Sequence, residues 1–174
     1  MKAALVVIFT LFAVSAFAQD QPSQSACGPA ATRFDTQTVT QKSTAEAEVG
    51  KSQVYVIEVF DKVVGELSRP TLRVGVDGAW MGADKGNSYL SFAVNPGEHH
   101  LCASWQSRLR RFSREAAFAG FTAEPGKTYY FRARITEHGG STGASTFSLD
   151  LDLVNSDEGK YLVASSAFSI SHPK

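Results

Sequence analysis

Between residues 53 and 154 the chain alternates apolar and polar positions with a period of two. The alternation is clearest over 146–154, where Phe147, Leu149, Leu151 and Leu153 alternate with serine and aspartate. Successive side chains of a β-strand point to opposite faces of a sheet, so such a segment predicts a strand with one buried face. Turn-forming residues separate seven segments of this kind, which cover 53–60, 71–77, 88–94, 99–105, 115–122, 128–136 and 146–154.

This pattern predicts an all-β fold. No helical pattern of comparable length occurs before residue 155, so the chain is expected to form a single antiparallel β-sandwich of about seven strands over 52–172. The preceding segment, 19–51, is rich in Gln, Ser, Thr and Ala and predicts a flexible lead-in. The end of the chain is open to two structures: a short helix capped near Ser156, and a strand from Val163.

The first 18 residues have the pattern of a secretory signal peptide. Lys2 precedes an apolar stretch from Ala3 to about Val14, and the small-residue cleavage pattern Ala16-Phe17-Ala18 follows. A membrane anchor fits less well, because the apolar stretch is shorter than the ~20 residues needed and no basic cluster follows it. A lipoprotein would need a cysteine directly after this stretch, whereas Cys27 lies further on. The sequence predicts cleavage after Ala18 and an exported protein, either periplasmic or secreted.

The charge balance argues against a nucleic-acid partner. The chain has 17 Lys and Arg residues and 17 Asp and Glu residues, and loss of Lys2 with the signal segment leaves a formal net charge near −1. Binding to a phosphate backbone demands a strongly basic surface. Since no further long apolar segment follows, the sequence also predicts no transmembrane segment after cleavage. The remaining 156 residues are enough for one domain with its own core.

The two cysteines of the chain are Cys27 and Cys102. In an exported protein an even number of cysteines favours a disulfide. A bond between these two would close a long loop and stabilise the fold by roughly 4 kcal/mol in the chain-entropy account. It would also tie the lead-in segment to the domain. The alternative is a pair of isolated thiols.

Two short motifs carry a resemblance to known families. Residues 76–82 read V-D-G-x-x-x-G and residues 96–101 read P-G-x-H-x-L. With them, the chain resembles bacterial exported proteins of the domain-of-unknown-function 2846 family, and the PEGA and transthyretin-like group of β-sandwich domains, over about residues 53–154. The matching positions are Val76, Asp77, Gly78, Gly82, Pro96, Gly97, His99, Leu101, Gly126, Lys127, Tyr129 and Tyr130.

What the resemblance implies is an envelope or secreted β-sandwich of transthyretin- or immunoglobulin-like architecture. It carries over no catalytic residues. The chain departs from the expected pattern near the end of the first strand, where a basic residue is expected and Glu58 and Phe60 are found.

Adjacent histidines, His99 and His100, precede Cys102 and raise the question of a metal or redox site. Neighbouring side chains on a strand point to opposite faces, so the two imidazoles cannot bind one ion together. A pair of His100 and Cys102 could begin a soft-metal site, but two further ligands are lacking, since His138 and His172 are remote. A disulfide at Cys102 would also remove the thiolate. The sequence therefore predicts no metal and no cofactor.

Two segments carry side chains suited to a glycan or an anionic group. Trp80 lies in the glycine-rich connection 77–88, where an exposed indole could stack on a sugar, anchor a partner or fold back over the sandwich. Four arginines in 107–115 could contact lipid headgroups, phosphorylated glycans or an acidic partner, or could simply be hydrated. They are Arg108, Arg110, Arg111 and Arg114, and the candidate binding set is Trp80, Tyr89, Arg108, Arg110 and Arg111.

The sequence contains no catalytic motif of the G-x-S-x-G, H-E-x-x-H or C-x-x-C type. Asp150 and Asp152 share one polar strand face, which is typical of a solvated surface rather than a cleft with paired carboxylates. We expect a non-catalytic exported β-sandwich that serves as an envelope-associated structural or interaction module, with an unknown envelope protein or polymer as partner. The alternatives are a glycan- or anionic-lipid-binding module and a His/Cys metal or redox site.

Overall fold

The computed structural model describes residues 27–40, 48–60, 70–107, 115–138 and 146–174. The predicted signal segment, 1–18, lies outside the described residues. Within them there are ten β-strands and one α-helix. The strands are β1 Phe34–Val39, β2 Ser52–Phe60, β3 Thr71–Val76, β4 Ala79–Lys85, β5 Ser88–Val94, β6 Gly97–Gln106, β7 Ala116–Ala123, β8 Thr128–His138, β9 Thr146–Val154 and β10 Ala167–Pro173, and helix α1 is Ser156–Ser165.

The strands form two sheets that pack as a sandwich. One sheet has six strands in the order β1-β10-β5-β2-β8-β9, and the other has four in the order β4-β3-β6-β7. The predicted all-β sandwich is confirmed. The six-stranded sheet is mixed rather than purely antiparallel, because β2 pairs with β8 in parallel and β10 pairs with β5 in parallel.

Each predicted strand has a counterpart in the structure. Two further strands, β1 and β4, were not predicted, and a third, β10, was one of two alternatives for the end of the chain. β1 lies in the lead-in segment, where its six residues pair antiparallel with β10. β4 replaces the predicted glycine-rich connection, because Asp77 and Gly78 have φ angles of 50° and 84° and form a two-residue turn that reverses the chain at once. At the end of the chain the helix and the strand that the sequence left as alternatives both occur, since α1 is followed by β10.

The core lies between the sheets and takes one face of strands β2, β3 and β5 to β9. In β2 and β3 the alternation places Val54, Val56, Leu72 and Val74 inside, each of them 0% exposed. From β6 and β8 the same core receives Leu101 and Phe131, among others. Burial of each such side chain contributes about 1.5–3 kcal/mol. The residues between them on these strands therefore point to the two outer faces, where Trp80 and Tyr89 of the candidate binding set lie.

Helix α1 packs on the outer face of the six-stranded sheet. The side chain of Asn155 caps it by accepting hydrogen bonds from the backbone N–H groups of Asp157 and Glu158, one residue before the predicted cap at Ser156. Gly159 lies against the Tyr130 ring so closely that a Cβ would overlap it. No helix in the described part of the chain has the length and apolar character to cross a membrane.

Candidate functional site

The disulfide between Cys27 and Cys102 lies on the outer face of the four-stranded sheet. Cys102 is on β6 between the core residues Leu101 and Ala103, so its side chain points outward. The Cα atoms of the two cysteines are 5.3 Å apart and the bond is formed, which confirms the predicted pairing. Cys102 is nevertheless 0% exposed, because the segment Cys27–Arg33 crosses above it.

This segment, which we call the strap (Cys27–Arg33), is held by Arg73 of β3. The guanidinium donates to the carbonyl oxygens of Ala30 and Thr32 at 3.1 and 2.9 Å, and to Ser104 Oγ at 3.0 Å. Burial lowers the pKa of Arg73, and the nearby Arg33 acts in the same direction. An arginine stays charged even so, and hydrogen bonds from a charged donor are stronger than neutral ones. Arg73 is therefore the main polar contact between the strap and the sheet.

Trp80 also binds the strap. It lies on β4 rather than in a connection, and its Nε1 donates to the Pro29 carbonyl oxygen at 2.9 Å. The Arg73 Cζ lies 4.5 Å from the ring centroid in a cation–π arrangement, and Gly28 is so close that a Cβ there would overlap the indole. Of the arrangements open from the sequence, folding back against the protein is the one observed.

Tyr89 is only 1% exposed, so in this fold it does not offer a ring to a surface ligand. It precedes the core residue Leu90 and points to the outer face of the six-stranded sheet, where it packs between Tyr55 and Phe168 with centroid distances of 5.8 and 5.3 Å. Tyr55 in turn stacks on Tyr130 at 5.2 Å and 17°. Burial raises the pKa of Tyr55 and of Tyr130. Tyr55 and Tyr130 are half-buried and reach the surface.

Trp80 and Tyr89, the two members of the candidate binding set that the structure describes, are not brought together by the fold. Trp80 lies on the outer face of one sheet and Tyr89 on the outer face of the other, so the two cannot contact one ligand. Arg108, Arg110 and Arg111 lie outside the described residues, as does Arg114. The half-buried tyrosine pair was missed from the sequence. Its signal was present: Tyr55 and Tyr130 are large aromatic residues at positions where the alternation predicts an outward side chain.

His99 forms a clamp between two turns that sequence reasoning also missed. Its Nδ1 lies 2.6 Å from Asp77 Oδ2, and its Nε2 donates to the Asn95 carbonyl oxygen at 2.7 Å. The other carboxylate oxygen of Asp77 accepts from the backbone N–H of His100 at 2.8 Å. Burial lowers the pKa of His99, but the bonds to Asp77 and Asn95 outweigh it, so the pKa is raised overall. The imidazole is thus fully engaged within the fold.

The pairing of His100 with Cys102 as metal ligands is not available, because the sulfur of Cys102 is bonded to Cys27. The side chain of His100 is 72% exposed. In the ranges that the structure describes, no group of three or more His, Cys, Asp or Glu side chains is arranged to hold a metal ion.

Two carboxyl groups lie inside the sandwich, and neither was identified as a site from the sequence. Glu58 follows Val54 and Val56 on the inner face of β2, and Asp84 of β4 pairs with the core residue Leu72. Both are 0% exposed. Glu58 Oε2 accepts from Gly86 N at 2.6 Å. As ionised groups, they would leave Glu58 Oε1 and both Asp84 oxygens without a donor among the described residues.

Burial raises the pKa of Glu58 to about 8, although the hydrogen bonds to Gly86 and Asp84 act in the opposite direction. For Asp84, burial and the charge of Glu58 together raise the pKa well above its usual value. Two buried carboxyl groups that are hydrogen-bonded to each other share a proton rather than both ionise. Since neither group is exposed to solvent, the pair has the chemistry of an internal hydrogen bond and not of a group in contact with a substrate.

Comparisons of the chain with models of protein families, with curated proteins and with solved structures find no match. The resemblance to the domain-of-unknown-function 2846 family and to PEGA and transthyretin-like domains stays a prediction from the motif residues.

Proposed function

We propose that the protein is an exported, non-catalytic β-sandwich that serves as a structural or interaction module in the cell envelope or outside the cell. The observation that carries the proposal is the disulfide between Cys27 and Cys102, since such bonds persist in oxidising compartments and are rare in the cytosol. The signal-like segment 1–18 and the family resemblance point to the same compartment.

The non-catalytic part of the proposal is supported by what the unusual polar groups do. Glu58 and Asp84 are closed off from solvent inside the sandwich, and both ring nitrogens of His99 bind the chain itself. Cys102 is bonded to Cys27 and is not a free thiol. Each of these groups therefore has a structural partner in place of a substrate.

The compartment is tested by expressing the full chain in a bacterial host and recovering it from cytosolic, periplasmic and medium fractions. We expect intact-mass measurement to give a chain that begins at Gln19, and thiol alkylation under denaturing conditions to modify neither cysteine before reduction. Ala18→Asp is the matched control, because it disrupts the small-residue cleavage pattern and should retain residues 1–18. Recovery of the unprocessed chain from the cytosol with two free thiols would contradict the proposal.

A second candidate is a glycan- or anionic-lipid-binding module, and the half-buried side chains of Tyr55 and Tyr130 favour it, because they are partly exposed on the outer face of the sheet, and a tyrosine combines an apolar ring with a polar hydroxyl. The same purified protein is applied to a glycan array and to vesicles with anionic lipid. Loss of binding in Tyr55→Ala but not in Trp80→Ala would support the tyrosine surface. Loss of binding in Trp80→Ala or Arg110→Ala would support the set predicted from the sequence, and no binding to either the array or the vesicles removes this candidate.

A further inference from the structure

The two sheets have four edge strands, β1, β9, β4 and β7. An edge strand exposes unpaired backbone groups, and proteins commonly protect it with charged residues, proline or a covering segment. β1 contains Asp35, β9 contains Asp150 and Asp152, and β4 contains Asp84 and Lys85. β7, with the sequence AAFAGFTA, has neither a charged residue nor a proline.

The edge of β4 is also protected by its neighbours, because Ala83 N donates to Ser171 Oγ of β10 at 2.9 Å. Among the described strands, β7 forms a ladder with β6 alone; β9 of the other sheet lies near β7 but does not pair with it. β7 is therefore the edge strand whose sequence contains none of these protective residues and whose outward backbone groups are not paired by any described strand.

The register with β6 shows which groups of β7 point to the open edge. Trp105 N donates to Glu115 O at 3.0 Å, and the pairing continues without a shift to Gly97 and Ala123. In an antiparallel ladder, alternate residues direct their N–H and C=O groups to the same neighbour. The odd-numbered residues of β7 therefore bond to β6, and Ala116, Phe118, Gly120 and Thr122 direct their backbone groups outward.

The side chains of β7 on the outer face of the sheet leave this edge accessible. Phe118 is 44% exposed, and it lies opposite Cys102 on the outer face of the sheet. Gly120 shares that face and is exposed. Its φ is not in the left-handed region, and a Cβ there would have no neighbour closer than the His99 carbonyl oxygen at 4.0 Å. Nothing in the described chain therefore requires a glycine at this position.

We propose that β7 pairs antiparallel with β7 of a second copy of this chain, about a twofold axis at Ala119. This register places Phe118 opposite Gly120 of the partner copy, and Ala116 opposite Thr122, so that residues whose backbone groups point outward meet each other. Each Phe118 ring then covers the space left by glycine in the other copy, on the same face of a continuous eight-stranded sheet.

A second copy is the occupant that the strand itself specifies. A twofold interface must be self-complementary, with each patch meeting its own copy. β7 supplies both the ring and the gap, two residues apart, which is the spacing that an antiparallel pairing centred on Ala119 requires. The absence of charge on β7 also removes the like-charge repulsion that would oppose pairing of identical strands.

The test is sedimentation equilibrium of the purified, disulfide-intact protein over a concentration series, together with amide hydrogen exchange at both ends of the series. We expect a monomer–dimer equilibrium in which the N–H groups of Phe118 and Gly120 gain protection as the dimer forms. Phe118→Lys should raise the dimer dissociation constant by about tenfold or more. Ile170→Lys on β10, at a side chain that is 40% exposed on a strand that packs against β1, β4 and β5 rather than β7, is the matched control and should leave it unchanged.

Gly120→Leu is a second variant that works by a different route. Because the monomer has room at this position, the variant should keep the circular dichroism and unfolding midpoint of the parent protein and still lose dimerisation, since the added side chain collides with Phe118 of the partner copy. A protein that stays monomeric throughout the series overturns the proposal. So does a dimer whose dissociation constant is the same in Phe118→Lys, or whose Phe118 and Gly120 amides gain no protection.

Discussion

The carboxyl groups of Glu58 and Asp84 meet inside the sandwich, one from each sheet. Neither has a basic partner among the described residues, and, if ionised, Glu58 Oε1 and both Asp84 oxygens would be buried without a donor. The cost of burying a charge exceeds the cost of retaining a proton, so the pair is held together as a proton-sharing unit. At the scale of single residues, this pair ties the free energy of unfolding to pH.

The sign of this dependence follows from the direction of the shift. Burial raises the pKa of Glu58 from 4.5 to about 8 in the folded chain, so its contribution to stability is fully present below about pH 4.5 and is lost as the pH rises through about 8. We expect Glu58→Gln to match the parent protein at the acid end of this window and to exceed it at the alkaline end, by on the order of 2 kcal/mol or more.

The measurement is urea unfolding at the two ends of that window. Gln keeps an oxygen that accepts from Gly86 N and adds a donor for Asp84, so the shape of the site is conserved. Glu98→Gln on β6 is the control, because Glu98 is exposed and its change should be within about 0.5 kcal/mol at both pH values. If the free energy of unfolding depended on pH equally in Glu58→Gln and in the parent protein, the two carboxyl groups would not share a proton in the folded chain.

At the scale of elements, the side chain of His99 joins two turns at one end of the sandwich. Asp77 begins the turn between β3 and β4, Asn95 lies in the turn between β5 and β6, and His99 binds both. The Phe121 ring lies 5.5 Å from the imidazole and covers one side of it. This clamp gives a physical reason for the D-G and P-G-x-H motifs on which the family resemblance depends.

Asp77→Asn should lower the pKa of His99, since it removes the negative charge at Nδ1 while an asparagine still adopts the positive φ of the turn. The raised pKa of His99 means that its stabilising contribution is present in acid and lost as the pH rises through the folded-state value. We therefore expect the variant to lose about 1 kcal/mol near pH 6 and less near pH 9. Histidine NMR titration and urea unfolding measure the two effects; a His99 titration unchanged by the substitution would argue against the clamp.

The strap joins the beginning of the described chain to the rest of the molecule. It is bonded to β6 through the disulfide and to β3 and β4 through Arg73 and Trp80, and it leads directly into β1. Lys174 at the end of the chain returns to the same region, where its backbone N–H donates to the Arg33 carbonyl oxygen at 2.9 Å. The two ends are thereby fastened to one side of the sandwich.

Replacing both cysteines with alanine should lower the free energy of unfolding by about 4 kcal/mol, because the bond closes a loop with a sequence separation of 75. It should also loosen the strap from Trp80. In a Trp105→Phe background, which leaves Trp80 as the only tryptophan of the chain, acrylamide quenching of the indole is expected to increase. Unchanged quenching in the double variant would mean that Arg73 and Trp80 hold the strap without the disulfide.

The period-two alternation was enough to predict the sandwich and its seven main strands, because a half-buried strand must place apolar residues on one face regardless of which strand lies beside it. In β1 and β4 the alternation of apolar and polar residues was too weak to predict a strand. The middle of β1 is polar, from Asp35 to Thr38, and β4 is interrupted by Gly82. Those strands form because β10 and β3 lie beside them and satisfy their backbone groups.

The disulfide was predictable, since the sequence predicts export and two cysteines have one pairing within the molecule. Trp80 and Tyr89 of the candidate binding set were not brought together, because alternation tells which side chains point outward but not which of the two outer faces they reach. Strand order assigned Trp80 to one face and Tyr89 to the other, and it turned Glu58 and Asp84 toward each other across the layers. Contacts between residues far apart in the sequence depend on how sheets are ordered and stacked, and a local pattern of apolar and polar residues contains no information on that.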